Sequence, residues 1–150
     1  MSETTFTLSS ERAIANLLAA YAFRNDDADI VGLGDLFADA VFTLDGNTAR
    51  GKVEIEAMAA AIIPLGAEGR SATSHEITNI SIEIDEVAGS ATAQSYWTLY
   101  HAVSGKPRQA FLAGRYQDAF SRRDGRWAFT RRDALIRWSI DLPTVIDAAA

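Results

Sequence analysis

The sequence predicts an α+β domain in which three N-terminal helices cover one face of a curved antiparallel sheet. Up to Pro64, apolar residues recur mostly at three- and four-residue steps, which is the spacing of amphipathic helices. After residue 70 the composition changes to four long segments of strand character, separated by turn signals. Helices followed by a strand meander are typical of an α+β fold with its helices segregated to one face of the sheet.

The first helix is predicted to begin at Ser9 or Ser10, because a serine can cap a free backbone amide there and Glu11 suits the positive end of the helix dipole. Its apolar stripe consists of Ala13, Ile14, Leu17, Leu18, Tyr21 and Ala22. The polar stretch 25–29 ends this helix, and Asp29 can cap a second, short helix. The second helix is expected to bury Ile30, Leu33, Leu36 and Phe37.

A first strand is predicted at residues 40–44, which run into Asp45-Gly46, a strong turn signal. A third helix is predicted at residues 53–63; its apolar residues include Val53 and Met58, and Pro64 stops it. Long antiparallel strands joined by hairpins then complete the sheet. These strands are predicted at residues 71–85, 90–103, 108–121 and 126–140, with turns at 86–89, 104–107 and 123–125.

Length and charge exclude several classes of protein. The 150 residues fit one domain, residues 1–150, with a single core. A formal net charge of −6 repels a phosphate backbone, so no nucleic acid partner is expected. Apolar runs are far shorter than the ~20 residues that span a bilayer, so no membrane partner is expected either. The N-terminus lacks the features of a secretory signal, which predicts a cytoplasmic location.

The common cofactor and metal motifs are missing. Without cysteine the chain offers no thiolate nucleophile and no thiolate metal ligand. His75 and His101 lie far apart, and neither has a second histidine three or four positions away, so no metal is expected. Gly32-Leu-Gly34 begins like a dinucleotide-binding motif but lacks its third glycine and its parallel-strand context. We therefore expect neither a cofactor nor a metal.

Three residues form a candidate catalytic group: Tyr21, Asp26 and His75. Tyr21 lies on the inward stripe of the first helix, Asp26 lies just past the end of that helix, and His75 lies on a strand. Helices that cover a curved sheet leave a pocket into which all three could point. A carboxylate on one imidazole nitrogen leaves the other free as a general base, and a phenol can polarise a carbonyl. Together they suit proton abstraction next to a carbonyl.

A structural interpretation of the same residues is also open. Asp26, Asp27 and Asp29 could be a solvated helix end and an N-cap, since aspartates are common in such places. Tyr21 could be an ordinary core tyrosine, and His75 a half-buried strand residue. The residues alone establish only an α+β domain with a pocket.

Three segments carry a resemblance to a known family. LFADAVF at residues 36–42 follows the helix that ends in an aspartate, residues 73–79 have the pattern T-x-H-x-x-x-N, and residues 122–127 form an RRDGxW turn. Over residues 9–140 the chain resembles the SnoaL-like branch of the nuclear transport factor 2-like superfamily. This branch includes scytalone dehydratase, bile acid 7α-dehydratase and hexachlorocyclohexane dehydrochlorinase. The resemblance implies a cone-shaped α+β barrel around a pocket.

The resemblance also implies a site. The aspartate and histidine of the catalytic dyad in these enzymes match Asp26 and His75. In the bile acid enzyme a tyrosine lies five residues before the aspartate, and it matches Tyr21, whereas the dehydrochlorinase has a lysine there. An arginine on the last strand assists some members. The chain offers Arg131, Arg132 and Arg137 there, and the pattern does not say which of them faces the pocket.

The implied activity is that of a cofactor-free lyase of the dehydratase type, acting on a small, cyclic, largely apolar substrate that bears a carbonyl and a leaving group. An isomerase of ketosteroid type is an alternative. A non-catalytic ligand-binding protein, such as a small subunit of a ring-hydroxylating dioxygenase, is another, because members without activity share the fold.

Two further expectations concern the core and the assembly. The apolar lining or core is predicted to consist mainly of Phe42, Ile77, Trp97, Leu99, Phe111, Leu112, Trp127 and Phe129. The long strands leave an open sheet face and an edge, which proteins normally cover. We therefore expect a homodimer or a homotrimer.

Overall fold

The structure, a computed structural model, describes residues 7–66, 68–101 and 105–140. Its helices are α1 (Ser10–Asp26), α2 (Ile30–Leu36) and α3 (Gly51–Ile62). Its strands are β1 (Val41–Leu44), β2 (Asn47–Arg50), β3 (Thr73–Asp85), β4 (Ser90–His101), β5 (Gln109–Arg123) and β6 (Arg126–Ser139). The α+β class and the three helices are confirmed. Residues 102–104, predicted as the last two residues of a strand and the first residue of a turn, lie outside the described residues.

The caps of α1 and α2 follow from the sequence. The Ser9 side chain accepts a hydrogen bond from the Arg12 amide at 3.1 Å, so Ser9 is the N-cap of α1. The Asp29 side chain accepts from the Gly32 amide at 2.9 Å and caps α2 as predicted. The far end of α1 differs from the prediction, because the helix continues through Asp26 and its C-cap is Asp27. Asp26 is therefore held in the last helical turn.

The six strands form one open sheet in the order β2-β1-β6-β5-β4-β3. The hairpin pairs are antiparallel as predicted, but β1 runs parallel to β6. No tight turn fixes the relative direction of β1 and β6, because α3 and most of the meander lie between them in sequence. Strand β2 was not predicted; it returns from β1 through Asp45 and Gly46, which both have positive φ as in a two-residue hairpin turn.

Register shifts curve the long strands. One lies between Thr78 and Ser81 in β3, one lies in the β4–β5 pair, and two lie in the β5–β6 pair. Each extra residue bends its strand and increases the local twist. One shift lies at Gly114, where a Cβ atom would collide with the carbonyl oxygen of Leu135. The curvature leaves a concave face, on which the helices pack.

The core lies between this concave face and the helices. Of the residues predicted for it, Phe42, Trp97, Phe111, Trp127 and Phe129 are buried. The others, Ile77, Leu99 and Leu112, are partly buried and pack against the same cluster. Helix α3 turns Ile55 and Ala59 inward, whereas Val53 is 80% exposed. No helix in the described part of the chain is long and apolar enough to cross a membrane.

Candidate active site

The end of α1 and the start of β3 bring Asp26 and His75 together. The Asp26 carboxylate lies 2.7 Å from Nδ1 of the His75 ring. It also accepts from the His75 backbone amide, at 3.0 Å and 3.1 Å to its two oxygens. The side chain of Asp26 is 19% exposed and that of His75 is 7% exposed. Since the last helical turn carries the carboxylate and a strand carries the ring, both groups are on rigid elements.

The other ring nitrogen of His75, Nε2, has no hydrogen-bond partner among the described residues. An ionised carboxylate can only accept hydrogen bonds, so in the neutral ring the proton is on Nδ1 and Nε2 carries the free lone pair. His75 lines a cavity. The pair therefore presents a basic nitrogen at the wall of that cavity.

The cavity has a volume of about 270 Å³ and lies between the sheet and the ends of α1 and α3. Its apolar lining includes Leu44, Trp97, Leu99, Phe111 and Ile136. Its polar groups come from Tyr21, Asn25, Thr73, His75 and Tyr116. No Asp, Glu, Lys or Arg of the described ranges lines it. An apolar pocket with a few converging polar groups is typical of a binding site for a small neutral molecule.

Tyr21 lies beside His75 in this cavity. The ring of Tyr21 packs edge-on against the His75 ring, with centroids 5.7 Å apart. It makes a second edge-on contact with Tyr116, at 5.6 Å. Burial raises the pKa of the Tyr21 phenol, although the Arg132 guanidinium and the Tyr116 hydroxyl oppose that rise. The phenol thus keeps its proton and can donate a hydrogen bond.

The structure separates the three candidate arginines. Arg131 is exposed and binds Asp133, and Arg137 is also exposed. Arg132 is fully buried and forms two hydrogen bonds of 2.8 Å with the carboxylate of Asp118. None of the three lines the cavity.

Arg132 nevertheless lies directly behind the cavity wall. Its guanidinium carbon is 3.8 Å from the Tyr116 ring centroid and 4.4 Å from that of Tyr21. Burial raises the pKa of Tyr116 well above its ordinary value. Asp118, Tyr116 and Asn25 were not among the site residues predicted from the sequence. Each of them is a polar residue at a position of a helix or strand that faces inward. A buried polar residue is a stronger indication of a site than an exposed apolar residue is.

The remaining aspartates of the 25–29 stretch serve structural contacts. Asp27 is an exposed residue whose carboxylate lies 3.3 Å from Arg70, and Asp29 is the cap of α2. Asp26 alone of the three contacts His75. Within residues 7–66, 68–101 and 105–140, no group of three or more His, Cys, Asp or Glu side chains could hold a metal ion.

Two comparisons with known proteins concern the sequence of the chain. The profile of a family described as a SnoaL-like domain matches residues 7–133. A search of curated proteins finds no match.

Solved structures with a similar fold include a candidate scytalone dehydratase of Novosphingobium aromaticivorans, at 26% identity and a TM-score of 0.70, over 87% of this chain and 86% of that one. A hexachlorocyclohexane dehydrochlorinase of Novosphingobium barchaimii is 21% identical with a TM-score of 0.72, over 89% and 90%. A Nostoc punctiforme protein of unknown function with a cystatin-like fold is 20% identical with a TM-score of 0.77, over 91% and 99%.

Proposed function

The chain belongs to the family of SnoaL-like domains, and we propose that it is a cofactor-independent lyase of the dehydratase type. The observation that carries this proposal is the Asp26–His75 pair at the wall of a largely apolar cavity. Its substrate is a small, cyclic, largely apolar molecule with a carbonyl group. Among the residues that the structure describes, no Asp, Glu, Lys or Arg lines the cavity, so a neutral substrate avoids an unpaired charge there.

In this proposal His75 Nε2 removes the proton from the carbon next to the carbonyl. Asp26 is a positioning residue: it keeps the ring proton on Nδ1 and stabilises the imidazolium that forms. Tyr21 donates a hydrogen bond to the carbonyl oxygen, where negative charge develops. Burial favours this role, because it holds the phenol in its protonated form.

Two other functions remain alternatives to elimination. An isomerase of ketosteroid type would use the same base and would return the proton to another carbon. A non-catalytic subunit of a ring-hydroxylating dioxygenase has no need for a carboxylate–imidazole pair at a cavity. The pair therefore favours an enzyme over a non-catalytic subunit. A lyase and an isomerase would both use one base and one hydrogen-bond donor.

Deuterium exchange tests the base without knowledge of the natural substrate. A cyclic ketone such as 1-tetralone is incubated with the protein in D₂O, and exchange at the carbon next to the carbonyl is followed by NMR. We expect wild-type protein and Asp27→Asn to accelerate exchange, and His75→Gln to lose the acceleration. Equal exchange in wild-type protein and His75→Gln would reject His75 as the base.

We also propose that the protein is a homodimer or homotrimer assembled through the convex face of its sheet. That face carries exposed aromatic and arginine side chains, including Tyr96 at 45% exposure and Trp138 at 46%. Arg115 packs over the ring of Tyr96, and Arg108 over that of Tyr100. Tyr, Trp and Arg are enriched at protein interfaces. Light scattering that gives the 16.2 kDa monomer at micromolar concentration would contradict this proposal.

A further inference from the structure

A second cavity lies beside the β5–β6 hairpin and is separate from the cavity of His75. It has a volume of about 140 Å³, and the two cavities share no lining residue. It lies among the end of β5, the start of β6 and the segment that joins α2 to β1. Its polar lining residues are Asp39, Ser121, Arg123, Arg126 and Thr130. The proposed lyase reaction uses none of these side chains.

The two arginines of this cavity face each other across the hairpin. Arg123 of β5 is the direct register partner of Arg126 of β6. The turn between them consists of Asp124 and Gly125, which both have positive φ as in a two-residue hairpin turn. Directly opposite residues have Cβ atoms about 4.5–5.5 Å apart and lie on one face of the sheet, so two like charges there repel each other. The hairpin thus holds two guanidinium groups close together at the cavity.

This pair of cations has no counter-ion in the described part of the chain. There, neither Arg123 nor Arg126 forms an ion pair or a side-chain hydrogen bond. The preceding Arg122, in contrast, binds Glu86 at 2.6 Å. The carboxylate of Asp39 also lines the cavity, but the two guanidinium groups outnumber it. The cavity therefore attracts an anion from solution, although the chain as a whole carries a formal net charge of −6.

We propose that this second cavity binds a phosphate group, either as inorganic phosphate or as part of a small phosphorylated molecule. The inference is independent of the proposed lyase function. A guanidinium group presents parallel N–H donors that match two oxygens of a phosphate. The hydroxyl groups of Ser121 and Thr130 line the same cavity and add two further donors. Two guanidinium groups with two hydroxyl groups suit the several oxygens of a phosphate better than the two oxygens of a carboxylate.

The first test is calorimetric titration with inorganic phosphate and with glycerol 3-phosphate, in a buffer of low ionic strength. We expect wild-type protein to bind with a Kd on the order of 1 mM or tighter, and Arg123→Gln and Arg126→Gln each to weaken binding about tenfold or more. Arg137→Gln is the matched control, because Arg137 is also an exposed arginine of β6 but does not line the cavity. It should bind both probes as the wild-type protein does.

The two probes distinguish the sources of the phosphate group. Tighter binding of glycerol 3-phosphate would assign the site to a phosphorylated molecule, whereas equal binding would assign it to inorganic phosphate. Either result supports the proposal. Failure of both probes to bind would overturn it, and so would an equal loss in Arg137→Gln and Arg126→Gln, because binding would then follow only the general charge of the surface.

The second test uses the melting temperature, which also verifies that the variants fold. Without ligand, Arg123→Gln should melt at or above the wild-type temperature, because it removes the repulsion across the hairpin. Phosphate at ten times its Kd should raise the melting temperature of wild-type protein and Arg137→Gln by about 2–4 °C, and that of Arg123→Gln much less. Asp39→Asn removes the opposing carboxylate, so it should bind phosphate about two- to fivefold more tightly. An equal rise in wild-type protein and Arg123→Gln would overturn the assignment of the site.

Discussion

Asp26 binds His75 through both the ring and the backbone. Its carboxylate lies 2.7 Å from the ring nitrogen Nδ1 and 3.0 to 3.1 Å from the backbone amide. The backbone contact fixes the end of α1 against β3 whatever the state of the ring. The ring contact selects the tautomer that leaves Nε2 unprotonated. One carboxylate therefore joins the two elements and prepares the base.

The first prediction separates these two tasks. Asp26→Asn can still accept from the backbone amide, but its own amide favours a proton on Nε2 and so the wrong tautomer. We expect Asp26→Asn and His75→Gln each to lower turnover on the order of 100-fold or more, the usual range for a general acid–base group. The measurement is the rate of deuterium exchange or of turnover, with circular dichroism to verify the fold.

Asp27→Asn is the control for that prediction, since Asp27 is exposed and its carboxylate binds the exposed Arg70. It should retain close to wild-type turnover. Near wild-type rates in His75→Gln, or an experimental structure in which His75 lies more than about 6 Å from Asp26, would reject the pair as catalytic.

Much of the fold could be predicted from local signals. Ser9 and Asp29 act as caps because their side chains reach amides three residues on, and the hairpin turns are set by a few adjacent residues. The parallel pairing of β1 with β6 was not predictable in this way. These strands are far apart in sequence, and their direction is fixed by how α3 and the rest of the sheet pack.

The position of the buried arginine illustrates the same limit within the site. Arg131 and Arg132 are adjacent, so strand alternation directs them to opposite faces. Which of the two faces inward depends on register shifts in the β5–β6 pair, including the one between Ala119 and Phe120. Alternation in the sequence does not locate such a shift. The pairing of Arg132 with Asp118 could therefore be identified only from the structure.

The second prediction concerns that buried pair. Neither side chain of Arg132–Asp118 exposes any surface. Arg132→Met keeps much of the packing against Tyr21 and Tyr116 but leaves the Asp118 carboxylate without its cation. We expect it to lower the free energy of unfolding by about 3–5 kcal/mol, measured by urea denaturation. Arg131→Met, which removes an exposed ion pair, should cost about 1 kcal/mol or less.

A double variant makes this prediction sharper. Arg132→Met with Asp118→Leu replaces both charges by apolar groups, so no unpaired charge is left in the core. It should recover most of the lost stability, since buried ion pairs replaced as a whole are often close to neutral. If the double variant instead loses as much stability as the two single variants together, an unpaired buried charge is not the cause of the loss.

The third prediction tests the close approach of Trp97 to the sheet. A Cβ atom at Gly114 would lie 2.9 Å from Cζ2 of Trp97 and would collide with the Leu135 carbonyl oxygen. Gly114→Ala should therefore lower the free energy of unfolding by about 1–3 kcal/mol, as other overpacked cores do, and weaken binding of 1-tetralone by displacing Trp97 into the cavity. In Gly66→Ala the new atom has only an ordinary contact at 3.4 Å, so we expect little change. Equal stability of the two variants would show that the sheet accommodates the methyl group.

The last prediction concerns alkaline pH. Burial raises the pKa of both Tyr21 and Tyr116. The unfolded chain loses its tyrosine protons near pH 10, whereas the folded protein still holds these two. The folded state then binds more protons than the unfolded state, so stability is complete below pH 10 and falls as pH rises toward the folded pKa values. Each buried phenol contributes a slope of at most about 1.4 kcal/mol per pH unit.

Tyr116→Phe removes one of the two buried phenols while keeping its ring. Its melting temperature should consequently fall less between pH 9 and pH 11 than that of the wild-type protein, although it starts lower if the hydroxyl contact with Tyr21 is stabilising at neutral pH. Tyr96→Phe is the matched control, because Tyr96 is 45% exposed on the convex face of the sheet. It should keep the wild-type dependence on pH. An equal fall in wild-type protein and Tyr116→Phe would mean that Tyr116 titrates in the folded state as it does in the unfolded chain, which would remove burial as the reason for keeping the cavity phenols protonated.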